Sequence, residues 1–185
     1  MKSLSFCLLS LVLFATPVLA ETSFQFSAPG VRSPDDPNVD GVRISLLHGK
    51  ADNVSGLDLG IFSFSETVNT SGLGMIFGIA LNTGSASGFS GALINVQTGK
   101  STGVNAAFVN SVETVEDGGA NIGFLNITKG FSNLDISGLA ISNESNVQLG
   151  FVNITKKINK FQFGLLNVAE NGFFPVFPFF NYPKH

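Results

Sequence analysis

Few residues in this chain could carry a reaction. Its imidazoles are His48 and His185, and its one thiol is Cys7. Nucleophilic catalysis needs a nucleophile, a base and an orienting group gathered together, and no His, Ser and Asp in the sequence share a spacing that suggests such a set. His48 falls where later repeats carry Asn, which makes it a variant of a structural position. Carboxylates are the other route, because two facing acids can act on a glycosidic bond. Asp58, Glu66, Asp135 and Glu170 lie in different repeats without a common register, and Glu113, Glu116 and Asp117 crowd into one turn that reads as a solvated acidic loop. Asp36-Pro-Asn38-Val-Asp40-Gly41 matches the opening of a calcium loop, with oxygen ligands at alternating positions. Leu47 stands where that loop needs its twelfth-position Glu, and Pro37 stiffens it, so turn chemistry leading into a strand is expected instead. Gly72-Leu-Gly74-Met-Ile-Phe-Gly78 imitates a dinucleotide loop without the helix that must follow one. The expectation is a non-enzymatic protein with no catalytic residue, no cofactor and no metal site.

The residues that do recur point to construction. A seven-residue phrase returns about every fifteen residues between Val42 and Asn167. Its clearest copies are Phe161-Gln-Phe-Gly-Leu-Leu-Asn167, Val147-Gln-Leu-Gly-Phe-Val-Asn153 and Ala120-Asn-Ile-Gly-Phe-Leu-Asn126. Looser copies are Val104–Asn110, Phe89–Asn95, Leu57–Ser63 and a first copy at Val42–His48. Degraded ones are expected at Leu73–Ile79 and Leu134–Ala140. No unit this short buries a hydrophobic face alone, so the copies must stack. Side chains alternate within a copy: Val147, Leu149 and Phe151 point one way, Gln148, Gly150 and Val152 the other. Period two with Val, Ile and Phe enrichment means strand. Turn formers separate the copies at 50–53, 69–72, 98–101, 116–119 and 156–160.

Bulk composition agrees with one packed domain. Of 185 residues, 44% are hydrophobic and 12% charged, which excludes a disordered chain. Ten Lys and Arg face 13 Asp and Glu with no basic patch, so nucleic acid is not an expected partner. Lys2, the apolar run around Leu8–Phe14 and Val18-Leu19-Ala20 read as a signal peptide ending at residue 20. Its removal takes Cys7 with it, and no disulfide framework or thiol chemistry is then expected.

Two all-β arrangements fit. In a parallel β-solenoid of about nine ~15-residue units, Asn95, Asn110, Asn126, Asn153 and Asn167 stack as a ladder at the ~4.8 Å strand spacing. An antiparallel meander or small β-barrel also matches the spacing, but it sends those Asn to alternate ends of the sheet. The solenoid is preferred for that reason, with a short return strand such as Ile154–Ile158. The expected organisation is a signal peptide at 1–20, a lead-in at 21–41, the repeats at 42–170 and an aromatic, Pro-rich cap at 171–185. Five Asn-x-Ser/Thr sites occur, at Asn53, Asn69, Asn126, Asn143 and Asn153; ladder duty accounts for Asn126 and Asn153 without a glycan.

Gln148-Leu-Gly150-Phe-Val-Asn153 and Gln162-Phe-Gly164-Leu-Leu-Asn167 resemble the core of the curlin repeat of bacterial surface amyloids, which implies a stacked coil. Most of the mature chain more closely resembles small exported bacterial surface-repeat proteins of unknown function. Those carry tandem Leu-Gln-Ile-Gly-Leu-Ile-Asn phrases and end in an aromatic-proline tail like Phe174–Asn181. That resemblance implies an exported location in the periplasm, outer membrane or cell surface. The function expected is a scaffold or adhesive binding surface whose exposed Gln, Ser, Asn and Asp meet a partner. An outer-membrane barrel is the alternative, and a solenoid carbohydrate-active enzyme a distant third. Membrane-interface contact through the aromatic tail and self-association through free sheet edges are the partner expectations.

Overall fold

The structure is a computed structural model that describes residues 21–184; the expected signal peptide and His185 lie outside the described residues. Strand accounts for 86% of it, and no helix occurs among the described residues. Seven strands follow one another: β1 (Thr22–Ala28), β2 (Val31–Ser33), β3 (Asn38–Asn82), β4 (Ala86–Ser101), β5 (Val104–Val115), β6 (Ala120–Ala169) and β7 (Val176–Asn181). Two of them hold 45 and 50 residues, which drawn straight would reach well over 100 Å. They wind instead. The turn formers expected at 50–53, 69–72, 98–101 and 156–160 all lie within strands, so most corners are bends inside a strand.

Successive windings pair in parallel. Ala80 lies opposite Asn95, Asn95 opposite Asn110, and Asn110 opposite Asn126. The chain is a parallel β-solenoid, and the meander and the barrel, which need antiparallel neighbours, do not describe it. The degraded copy at Leu73–Ile79 closes one residue late, at Ala80, because β3 carries an irregularity between Ile76 and Ile79 against β4. Nor is Val42–His48 the first level. Phe24, Gln25 and Phe26 pair in register with Val42, Arg43 and Ile44, so β1 adds a winding whose Gln25 is hidden by a poor match in the rest of the phrase.

One corner is a column of glycine. Gly41, Gly56, Gly72 and Gly88 have φ between +90° and +148°, where L side chains are strained. A Cβ on Gly56 would lie 2.3 Å from the Gly41 carbonyl oxygen, and one on Gly72 2.2 Å from that of Gly56. Each glycine therefore lets the next winding settle at strand spacing.

The interior is the main departure from expectation. Buried positions are dominated by Gln, Asn, Ser, Thr and Asp, and by Arg43, while Phe62, Phe108, Phe124, Phe151 and Phe163 are each at least 60% exposed. The alternation holds, but the amide side faces in and the apolar side faces out. Phe151 and Val152 both turn outward at a corner, which brings Asn153 inside. The exposed Gln and Asn expected to meet a partner are largely core residues, and packing is not the sole stabiliser.

Both ends are closed by antiparallel strands, β2 on β1 and β7 on β6. At the first end the buried Gln25 amide donates to the Pro34 and Asp36 carbonyls at 3.2 and 2.6 Å, holding the β2–β3 connection over the core. At the other, Asn181 sits opposite Gln162 and is 1% exposed. The phenylalanines of the tail stay largely outside, stacked on one another. An amide, not an aromatic ring, closes the column.

Candidate functional site

Two features stand out: the amide-filled interior and the apolar outer face that it creates. The interior rests on the Gly-x-x-Asn spacing. A Cβ on Gly123 would lie 2.9 Å from Asn110 Nδ2 and 3.0 Å from Asn126 Oδ1, and one on Gly164 2.6 Å from Asn153 Nδ2. The small residue three places before the Asn is the space into which the closing amides fold. Amides then bond level to level: Asn110 Nδ2 donates to Asn126 Oδ1 at 2.9 Å, and Asn153 Nδ2 to Asn167 Oδ1 at 2.8 Å. A second column runs through the second phrase position, with Asn105 donating to Asn121 at 3.0 Å and Gln162 to Gln148 at 2.7 Å. Burying an amide is costly only when it lacks partners, and repetition supplies each with an identical neighbour.

Three ionisable groups, Arg43, Asp58 and Asp135, occupy that second column. Arg43 lies where the repeat has Gln, and its guanidinium donates from Nε to Asp58 Oδ1 at 2.9 Å and from Nη2 to Asp58 Oδ2 and Ser65 Oγ. Asp135 has no cation beside it among the described residues. Asn121 Nδ2 donates to its Oδ1 at 3.1 Å while Oδ2 lacks a partner among them. Burial pushes its carboxyl up to about 6, against the opposing pull of the polar side chains of Ser132, Asn121, Gln148 and Asn126 around it.

Ala140 breaks the closing column. Where Ala140 stands, Asn126 Nδ2 turns to the Asn121 and Ile136 carbonyls, and Asn153 Oδ1 has no donor. The sequence pattern places an Asn at this level, and its amide would donate to Asn153. Ala140→Asn is expected to raise unfolding free energy by about 1 kcal/mol; a denaturant midpoint unchanged or lowered would show that the column does not accept an amide there.

The residues singled out for chemistry do not assemble into a site. His48 lies outside the Asn column: it is partly exposed, 3.5 Å from Glu66, and stacked on Phe64. Gly49 takes the buried position after it. Glu113, Glu116 and Glu144 pair with Lys129, Lys100 and Lys157, and hydrogen bonds from Lys157 and Asn159 hold Glu144 below its ordinary range. Asp117 and Glu170 are exposed and lie in different repeats. Asp36 Oδ1 accepts from the Asn38 backbone at 2.8 Å, and Asn38 Oδ1 accepts from Asn53 at 2.6 Å, opening a corner column that continues through Asn69. Asp40 lies exposed in β3. Of the Asn-x-Ser/Thr asparagines, Asn126 and Asn153 are buried in the ladder.

The outer face is simpler and larger. In nine consecutive copies, from Val42 to Leu166, the first, third, fifth and sixth phrase positions contain no charged and no hydrogen-bonding side chain. The fifth positions form one row: Leu46, Ile61, Phe77, Leu93, Phe108, Phe124, Gly138, Phe151 and Leu165. Phe108 and Phe124 stack at 5.1 Å with 4° between ring planes. Near the C-terminal end Ile136, Leu149, Phe151, Phe163, Leu165 and Phe179 line a groove of about 420 Å³. Phe179 belongs to β7, so the cap continues the face. The sequence carries this signal as an unbroken absence of polar residues at four phrase positions, which is also the mark of a buried face.

No family model, no curated protein and no solved structure matches the chain. Contiguous exposed apolar surface of this extent is uncommon on a lone soluble domain and marks an interaction site. It can hold apolar matter, and it offers no acid, base, nucleophile or metal ligand.

Proposed function

We propose that this protein is a non-enzymatic, exported scaffold of the bacterial envelope or cell surface that binds through its apolar solenoid face. One observation supports the reading above the others: nine stacked phrases present outward side chains with no polar group among their four outer positions. The amide interior makes this possible. Hydrogen-bonded columns hold the coil together from within, so the hydrophobic residues are not consumed by the core and remain for contact. The proposed working surface is thus the reverse of the polar one expected from the alternation. Export rests on the signal-peptide pattern and on the resemblance to surface-repeat proteins.

Cell fractionation tests the proposal. The protein is expected in the envelope or the medium, in an association through this face that survives high salt and is dissolved by detergent, because apolar contact is not screened by ions. A Phe124→Glu, Phe151→Glu double variant should keep its strand circular dichroism, both rings being exposed, and weaken that association at least tenfold. Recovery of the wild type in the cytosol, or an undiminished association of the folded variant, would rule the reading out.

A further inference from the structure

We propose that the occupant of the apolar face is the same face of a second copy, the two related by a two-fold axis. This deepens the binding reading above and rests on it. Area is the first support. Nine levels at ~4.8 Å and five residues at ~3.3 Å, up to the corner, give a face of about 43 by 16 Å. Pairing two of them removes about 1,400 Å² from water, within the range of stable specific interfaces.

Charge is the second support. The face carries no charged side chain, so setting it against itself brings no like charges together.

Composition argues against a bilayer as the occupant. Proteins lying on membranes carry Trp, Tyr and a basic fringe at the interface. This chain has no Trp, one Tyr and a net charge of −3, and Lys100, Lys129 and Lys157 are each paired to a Glu. End-to-end stacking is blunted too. The outermost strands β2 and β7 are short and antiparallel, with Pro34 following one and Pro178 within the other, features that discourage edge pairing.

Sedimentation equilibrium of the purified protein is expected to show a dimer at micromolar concentration. Phe108→Glu should raise the dimer Kd by about 30-fold or more with circular dichroism unchanged. A monomer that floats with phosphatidylcholine–phosphatidylglycerol vesicles would overturn the second-copy proposal and leave the apolar binding face standing. A monomer that neither floats nor is retained by the envelope would overturn both.

Discussion

Asp58→Ala is expected to cost about 3–5 kcal/mol of folding free energy, the range found when one partner of a buried ion pair is removed. Arg43 is fully buried and its guanidinium has two partners, Asp58 and Ser65; Nη1 already lacks one. Without the carboxylate a cation remains inside with one hydroxyl to hold it. The pair itself need not be strongly stabilising, because taking two charges out of water offsets most of their attraction. Arg43→Gln with Asp58→Asn returns both positions to the amide chemistry of the column and should recover most of the loss. Urea unfolding of the single and double variants checks this: a single-variant loss below about 1 kcal/mol would show that the pair is solvated or relaxes freely.

Asp135→Asn is expected to stabilise the fold at neutral pH, by on the order of 3 kcal/mol. Burial raises this carboxyl from 3.8 to about 6, and each unit of difference from the unfolded chain corresponds to about 1.4 kcal/mol. The sign follows from proton binding. Between pH 3.8 and about 6 the folded state keeps a proton that the unfolded chain has released, so stability from this group is full below 3.8 and falls as pH rises to about 6. Above that it stays low, because folding then buries an anion whose Oδ2 has no partner. Asparagine removes the charge and continues the amide run between Asn121 and Gln148. The difference in unfolding free energy between variant and wild type should therefore be small near pH 3.5 and grow through about pH 6. A difference that does not change with pH would mean that Asp135 does not titrate in the folded protein as described.

How far the chain can be read from its residues varies with the physics of each feature. The Asn ladder is legible because Asn95, Asn110, Asn126, Asn153 and Asn167 recur at one phrase position, and only parallel windings give that recurrence a use. The level formed by β1 is not, since Gln25 alone preserves the motif. The shift at Ala80 stays hidden because one added residue in a bulge leaves the composition of a copy unchanged. Counting along the chain puts His48 in the column, but the buried position there belongs to Gly49. Arg43 and Asp58 look like unrelated charges fifteen residues apart until winding sets one above the other.

Alternation and period determined strand, repeat and coil from the sequence, because each depends on spacing along the chain. Which side of every strand faces inward was decided only by the tertiary structure. A face of Phe, Leu and Ile and a face of Gln, Asn and Gly can each be buried: the first by removal from water, the second by bonding to its own copies. In a lone strand apolar burial wins. In a stack whose like amides meet at strand spacing, the polar side satisfies itself, and the hydrophobic side is left facing out.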